Sequence, residues 1–115
     1  MTYNYTKYLQ GRRTRQMEII TLKKLEIISP ISQTLNFIEA TLVIETDEIG
    51  FKMWFINLTG PPSLAHHFLS AHETLQLIAE AEDKRTFRGS AFVKQCKLRR
   101  IAEITFQGTG SLEQS

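Results

Sequence analysis

The sequence is poor in what staples a chain or anchors it. One cysteine, Cys96, stands among 115 residues. A lone cysteine makes no intrachain disulfide, so a secreted domain held by bridges is excluded. The three prolines fall in two places, Pro30 and Pro61-Pro62, where they punctuate. Apolar runs are only a few residues long, far below the roughly 20 a membrane-spanning helix needs. Met1 to Gln10 is polar and aromatic with no apolar stretch, which predicts no signal peptide and a cytoplasmic chain. On that expectation the glycosylation sequons at Asn4 and Asn57 are chance matches. No internal repeat or low-complexity tract is visible.

Acidic residues are missing from the first sixteen positions, which hold Lys7, Arg12, Arg13 and Arg15. The whole chain has 14 basic and 12 acidic residues, so removing those four leaves ten basic against twelve acidic. The basic character therefore belongs to an N-terminal arm. Residues 1–16 show neither helical nor strand periodicity and contain Gly11, which predicts a flexible arm that orders on a partner. Met17 is a second candidate start, which makes the arm dispensable for folding. The expected organisation is an arm over 1–16, one domain over 17–112 and a tail over 113–115. With 42% hydrophobic and 23% charged residues, the chain has a globular composition and the length for one core.

From Met17 the pattern is that of strands. Ile20, Leu22, Leu25 and Ile27 form a run interrupted by Lys23-Lys24 and ended by Ser29-Pro30. Residues 33–46 are rich in β-branched and aromatic side chains and fit one bent strand or two short ones. Asp47-Glu48-Ile49-Gly50 reads as a turn with Gly50 at positive φ. Residues 51–58 alternate, with Phe51, Met53 and Phe55 on one face and Trp54, Ile56 and Leu58 on the other. Two apolar faces predict a central strand covered on both sides. Thr59-Gly60-Pro61-Pro62-Ser63 is strong punctuation, with Ser63 a candidate cap for a short helix ending near His72. Leu64, Phe68 and Ala71 share a helical face, and Leu75 and Ile78 extend it, so one helix over 63–82 competes with a short helix followed by a strand. Leu75, Leu77, Ala79 and Ala81 alternate and favour the strand. Asp83-Lys84 then reads as a hairpin turn without its usual glycine. Two more strands follow, over 86–98 and 102–107, before Gly108-Thr109-Gly110. The expected fold class is mainly β, a barrel or sandwich of five or six strands with one short α-helix; α+β is the alternative.

Few residue clusters carry chemistry. His66, His67 and His72 lack the i,i+4 spacing of helical metal ligands and no Cys or Asp pair completes a set, so no metal site and no cofactor are expected. Cys96 lies beside Lys97, which would lower a thiol pKa, but no base or orienting group accompanies it, and a buried structural cysteine is expected. Glu80, Glu82 and Asp83 face Arg85 and Arg88 across the proposed turn, which predicts cross-strand ion pairs; Glu45, Asp47 and Glu48 lack calcium-loop spacing. Gly108-Thr109-Gly110 has no lysine or helix after it and is not a phosphate loop. No catalytic set of base, nucleophile and orienter assembles, so a non-enzymatic protein without a small-molecule substrate is expected. The candidate binding residues are Arg12, Arg13, Arg15, Arg85, Arg88, Lys94, Lys97, Arg99 and Arg100. Trp54, Phe87 and Phe92 lie nearby in sequence, and basic strands interleaved with aromatics are what a single-strand nucleic-acid platform uses.

Phe87-Arg88-Gly89-Ser90-Ala91-Phe92-Val93, a polar bend over residues 95–101, and Ala102-Glu103-Ile104-Thr105-Phe106-Gln107-Gly108-Thr109-Gly110-Ser111-Leu112 together resemble the closing hairpin of long-tailed phage tail tube proteins. The resemblance covers about 25 of the 115 residues. The chain is shorter than usual tube subunits, and its bend is more basic and lacks their long insertion. The resemblance implies a β-sandwich or barrel with one flanking helix, whose copies form rings that stack into a DNA-conducting tube. It also implies a virion component as the alternative location. Two readings follow. The first is a structural or assembly subunit, phage- or prophage-tail-like, that self-associates by edge-strand pairing and apolar contacts while the arm orders on a neighbour. The second is an OB-fold, five strands with a helix between the third and fourth, binding single-stranded nucleic acid. The expected partners are copies of itself or other assembly subunits, with nucleic acid second and no membrane.

Overall fold

The computed structural model describes residues 16–68 and 73–115. Strand β1, Gln16–Ser29, shows how the sequence solves a geometric problem. Its inward side chains are Ile20 and Leu22, then Leu25 and Ile27, a period of two that slips by one residue between the pairs. The slip is a β-bulge: the β1 ladder runs from Leu22 to Lys24 and skips Lys23. The Lys23-Lys24 interruption is thus the extra residue that bends the strand while keeping its apolar side inward. The bend lets β1 serve two partners, the strand β3, Glu39–Thr46, over its first half and β5, Leu75–Ala81, over its second. Residues 33–46 split into a two-residue strand β2, Gln33–Thr34, and β3.

The remaining strands are β4, Lys52–Gly60, β6, Thr86–Leu98, β7, Ala102–Gly108, and β8, Glu113–Gln114. Six of the eight strands close an antiparallel barrel in the order β1-β3-β4-β7-β6-β5 and back to β1, with β2 and β8 attached outside the ring. The barrel is two three-stranded meanders, β1-β3-β4 and β5-β6-β7, joined first strand to first and last to last. Strand β6 repeats the device of β1. It pairs with β5 up to Ala91 and with β7 from there, and its ladder skips Lys94. The barrel has six staves where the OB-fold reading expects five. Among the described residues the short strands β2 and β8 lie off the closed ring, each paired with one strand of it.

The barrel has one inside. Trp54, Ile56 and Leu58 of β4 fill it, whereas Phe51 and Met53 are exposed and Phe55 is half-buried. The expectation that β4 is covered on both sides is therefore wrong: a barrel stave turns only one face to the core. Phe87, Phe106, Leu25 and Leu42 are among the largest fully buried side chains, each contributing about 1.5–3 kcal/mol by leaving water.

The connection between the meanders is a 3-10 helix, Pro62–His67, followed by β5, which excludes one helix over 63–82. It is not the short α-helix expected, and Ser63 does not cap it. Pro61 holds the N-cap position and Pro62 opens the helix, so Ser63 already lies in the first turn. Leu64, Ala65 and Phe68 are buried, and Phe68 meets Phe106 edge-on at 5.4 Å between ring centres.

Gly50 takes φ +89°, as expected of the β3–β4 turn, where the Asp47 carboxylate accepts the amides of Ile49 and Phe51. In the β5–β6 turn the missing glycine is replaced by Lys84 at φ +79°. The Lys84 amide donates to Ala81 and the Ala81 amide to Arg85, closing the turn around it. Residues 113–115 are not a free tail. Glu113 and Gln114 form β8 against Arg88 and Phe87, and Ser115 and Thr86 exchange backbone hydrogen bonds. At the other end Gln16 already pairs with Thr46, so the domain starts one residue earlier than expected.

Trp54 fixes the closest packing. A Cβ on Gly108 would overlap its Cε2, and one on Gly89 would stand 2.6 Å from its Cζ2. The indole N–H donates to the Gly110 carbonyl at 2.8 Å. Gly108→Ala should therefore lower stability by about 1–3 kcal/mol, the usual cost of overpacking. Lys84→Gly should raise it by about 0.5–1 kcal/mol by relieving the left-handed backbone. Thermal unfolding of the two variants, shifted in opposite directions from the wild type, checks both.

Candidate assembly interface

Among the described residues, the basic candidates are spread along one strand and its two turns. Arg12, Arg13 and Arg15 lie outside the described residues. The other six are strung from the β5–β6 turn to the β6–β7 turn along β6, at about 3.4 Å per residue. Arg85 bonds Asp83 at 2.7 Å and Glu18 of β1 at 3.0 Å, and its guanidinium lies 5.5 Å from the centre of the Phe87 ring. Arg88 is paired in register with Glu113 and Lys97 with Glu103. Lys94 sits at the bulge, and Arg99 and Arg100 form the exposed bend, which spans residues 99–101 because 95–98 belong to β6. Arg85 is thus held in ion pairs, while Arg88 and Lys97 have an acidic residue as cross-strand neighbour. The proposed aromatic interleaving also fails: Trp54 and Phe87 are core residues, and only Phe92 of the three is exposed.

The other candidates settle into structural roles. The acidic cluster at the turn is divided, Asp83 going to Arg85 and Glu80 to Lys23 of β1 at 3.6 Å. His67 meets Gln33 at 3.3 Å between nitrogens, tying the 3-10 helix to β2, while His72 lies outside the described residues. No group of three His, Cys, Asp or Glu side chains that could hold a metal occurs among the described residues. Cys96 is half-buried with its Sγ 3.9 Å from the Ala65 carbonyl. Burial pushes its thiol up from the ordinary value, opposite to the lowering that Lys97 would give. Among the described residues, no helix is long and apolar enough to cross a membrane.

What the structure adds is an ordered outer face on β1, β3, β4, β7 and β6. The strand registers place Ile19, Val43, Phe55, Gln107 and Phe92 side by side in one row pointing away from the core. Val43 is only 6% exposed yet lies outside the core cluster, because Ile19 and Phe55 flank it. Ile19 is 65% exposed and Phe92 39%. Towards the rim, Met17, Glu45 and Met53 form the next row; on the other side Thr21, Thr41, Asn57, Thr105 and Gln95 make a polar one. Beyond that, Glu39, Thr59, Glu103 and Lys97 follow. Directly opposed side chains on a sheet stand about 5 Å apart, so the apolar row is nearly continuous. Its legible signal was the second apolar face of β4, which a barrel must turn outward.

At the rim near Met17 and Met53 the barrel opens on a cavity of about 1140 Å³. Gln16, Phe51, Trp54 and Leu112 are among the residues that line it.

The Asp83 carboxyl is held below its ordinary range, first by the side-chain hydrogen bond from Arg85, then by the Arg85 amide. A lowered carboxyl stabilises the fold fully above the unfolded value and loses that contribution as the pH falls through the folded one. Arg85→Gln should return Asp83 upward toward the usual carboxylate range, read by an NMR titration of its carboxyl carbon. Comparison with models of known families, with curated proteins and with solved structures gave no match, so the surface is interpreted from its own chemistry.

Proposed function

We propose that this barrel is a non-enzymatic structural subunit that self-associates through its outer face. The observation that carries the reading is the outward-facing row Ile19, Val43, Phe55, Gln107 and Phe92, of which Ile19 and Phe92 are exposed, with exposed Met17 and Met53 in the next row. A mainly apolar outer face with large exposed side chains is what a protein–protein contact uses. The resemblance of residues 87–112 to the closing hairpin of phage tail tube proteins supports the same reading and suggests closed rings of copies, in a phage- or prophage-tail-like component. The burial of Trp54 and Phe87 removes two of the three aromatic side chains that the nucleic-acid reading would use for stacking.

Light scattering after size-exclusion chromatography, at two salt concentrations, tests this. The full chain is expected to form oligomers whose size is insensitive to salt, since the contact is apolar. Ile19→Glu with Phe92→Glu should weaken association by about 10–100-fold per residue, from the roughly 1.5–3 kcal/mol each side chain contributes on burial. The unfolding midpoint should stay within a few degrees of the wild type, because both side chains point outward. A monomer at all concentrations, binding single-stranded DNA with an affinity that falls steeply with salt, overturns the proposal in favour of nucleic-acid binding.

A further inference from the structure

The first half of β1 stands beyond the end of β5. The ladder between them stops at the pair Leu22–Ala81, and the Glu82 amide makes a last bond, at 3.0 Å, to the Thr21 carbonyl before the chain turns into β6. The peptide groups of successive residues in a strand point to alternate sides. The Thr21 carbonyl faces β5, so the peptide groups of Ile19 and Met17 face that way too, and those of Gln16, Glu18 and Ile20 face β3. Among the described residues no strand occupies the β5 side of Met17 and Ile19, and no hydrogen bond reaches their peptide groups there. Their side chains are open as well, Met17 being 57% and Ile19 65% exposed. The edge also lacks the usual defences against pairing. Residues 16–20 contain no proline and no lysine, and the bulge at Lys23 comes only after them.

We infer that two copies of this chain pair antiparallel along residues 16–20 of β1, about a two-fold axis at Glu18, an inference that rests on the self-association proposed above. About that axis Met17 of each copy lies opposite Ile19 of the other, and each such pair exchanges both of its backbone hydrogen bonds. Directly opposite residues share a face of the sheet. Both pairs therefore lie on the outer side, and the row that ends in Ile19 runs on into Met17 of the second copy. The edge thus supplies its own complement in hydrogen bonding and in the side chains beside it. At the axis Glu18 meets Glu18, and like charges directly opposite repel. Each carboxylate already holds Arg85 of its own copy at 3.0 Å, so what meets there is one ion pair against another. The contact is isologous and uses the same edge of both copies.

Residue-resolved hydrogen–deuterium exchange of the full chain, below and above its association midpoint, tests this. The Met17 and Ile19 amides should exchange freely in the dilute chain and at least about tenfold more slowly in the associated one. Glu18 and Ile20, bonded to β3, should be protected in both. Ile19→Pro removes an amide that the barrel itself does not use, and proline is tolerated at such an edge. It should weaken association at least about tenfold relative to Ile19→Ala, which loses the same outward side chain but keeps the amide. Oligomers in which Met17 and Ile19 exchange as freely as in the dilute chain overturn the inference and leave the outer-face association standing. Protection of these amides in a dilute monomer also overturns it, since the edge is then covered within one copy. A chain that stays monomeric at every concentration marks the failure of the self-association reading and takes the inference with it.

Discussion

Barrel closure depends on one strand belonging to two neighbourhoods. β1 ladders with β3 through Thr21 and with β5 from Leu22 onward. A straight strand with unbroken alternation could not follow both partners and keep its apolar face inward. The skipped residue at Lys23 provides the bend, and the one at Lys94 does the same for β6. These two bulges carry lysine, whose long side chain leaves its charge in water where the backbone turns, while a third shift, at the end of β1, skips Ile28. The rest of the interior, from Leu25 to Phe106, packs on the cylinder so closed.

Within it, Trp54 is the tightest element. Its indole is pressed against two strands through Gly89 and Gly108 and tied to the loop after β7 through Gly110. This joins the two meanders across the β4–β7 seam, at the level where the barrel opens. The same stave, β4, turns Met53 and Phe55 outward. The link between core and proposed contact is therefore one strand with two apolar faces, one spent on folding and the other left for association.

Much of the architecture was legible. Alternation located the strands, Ser29-Pro30 and Gly60-Pro61-Pro62 marked their ends, and Leu75, Leu77, Ala79 and Ala81 separated strand from helix. What failed depended on long-range placement. The two faces of β4 cannot reveal that only one is covered until closure is known. Lys23-Lys24 read as an interruption because a bulge becomes visible only against its partner strand. The tail residues Glu113 and Gln114 found a partner, β6, more than twenty residues away. The basic residues were nominated by sequence proximity, whereas the sheet sets Arg88 beside Glu113 and Lys97 beside Glu103. The outer row escaped notice because it draws one side chain from each of five strands.

The rows on that outer face change in their predominant character: mainly carbon near the rim, hydroxyl and amide in the middle, then mainly charge. Alternate residues along a strand are about 7 Å apart. A neighbouring molecule displaced by that distance along the barrel would lay its hydrocarbon on threonines and asparagine. In the proposed association the gradient would act as a ruler, setting the height at which two cylinders meet as well as the sides they present.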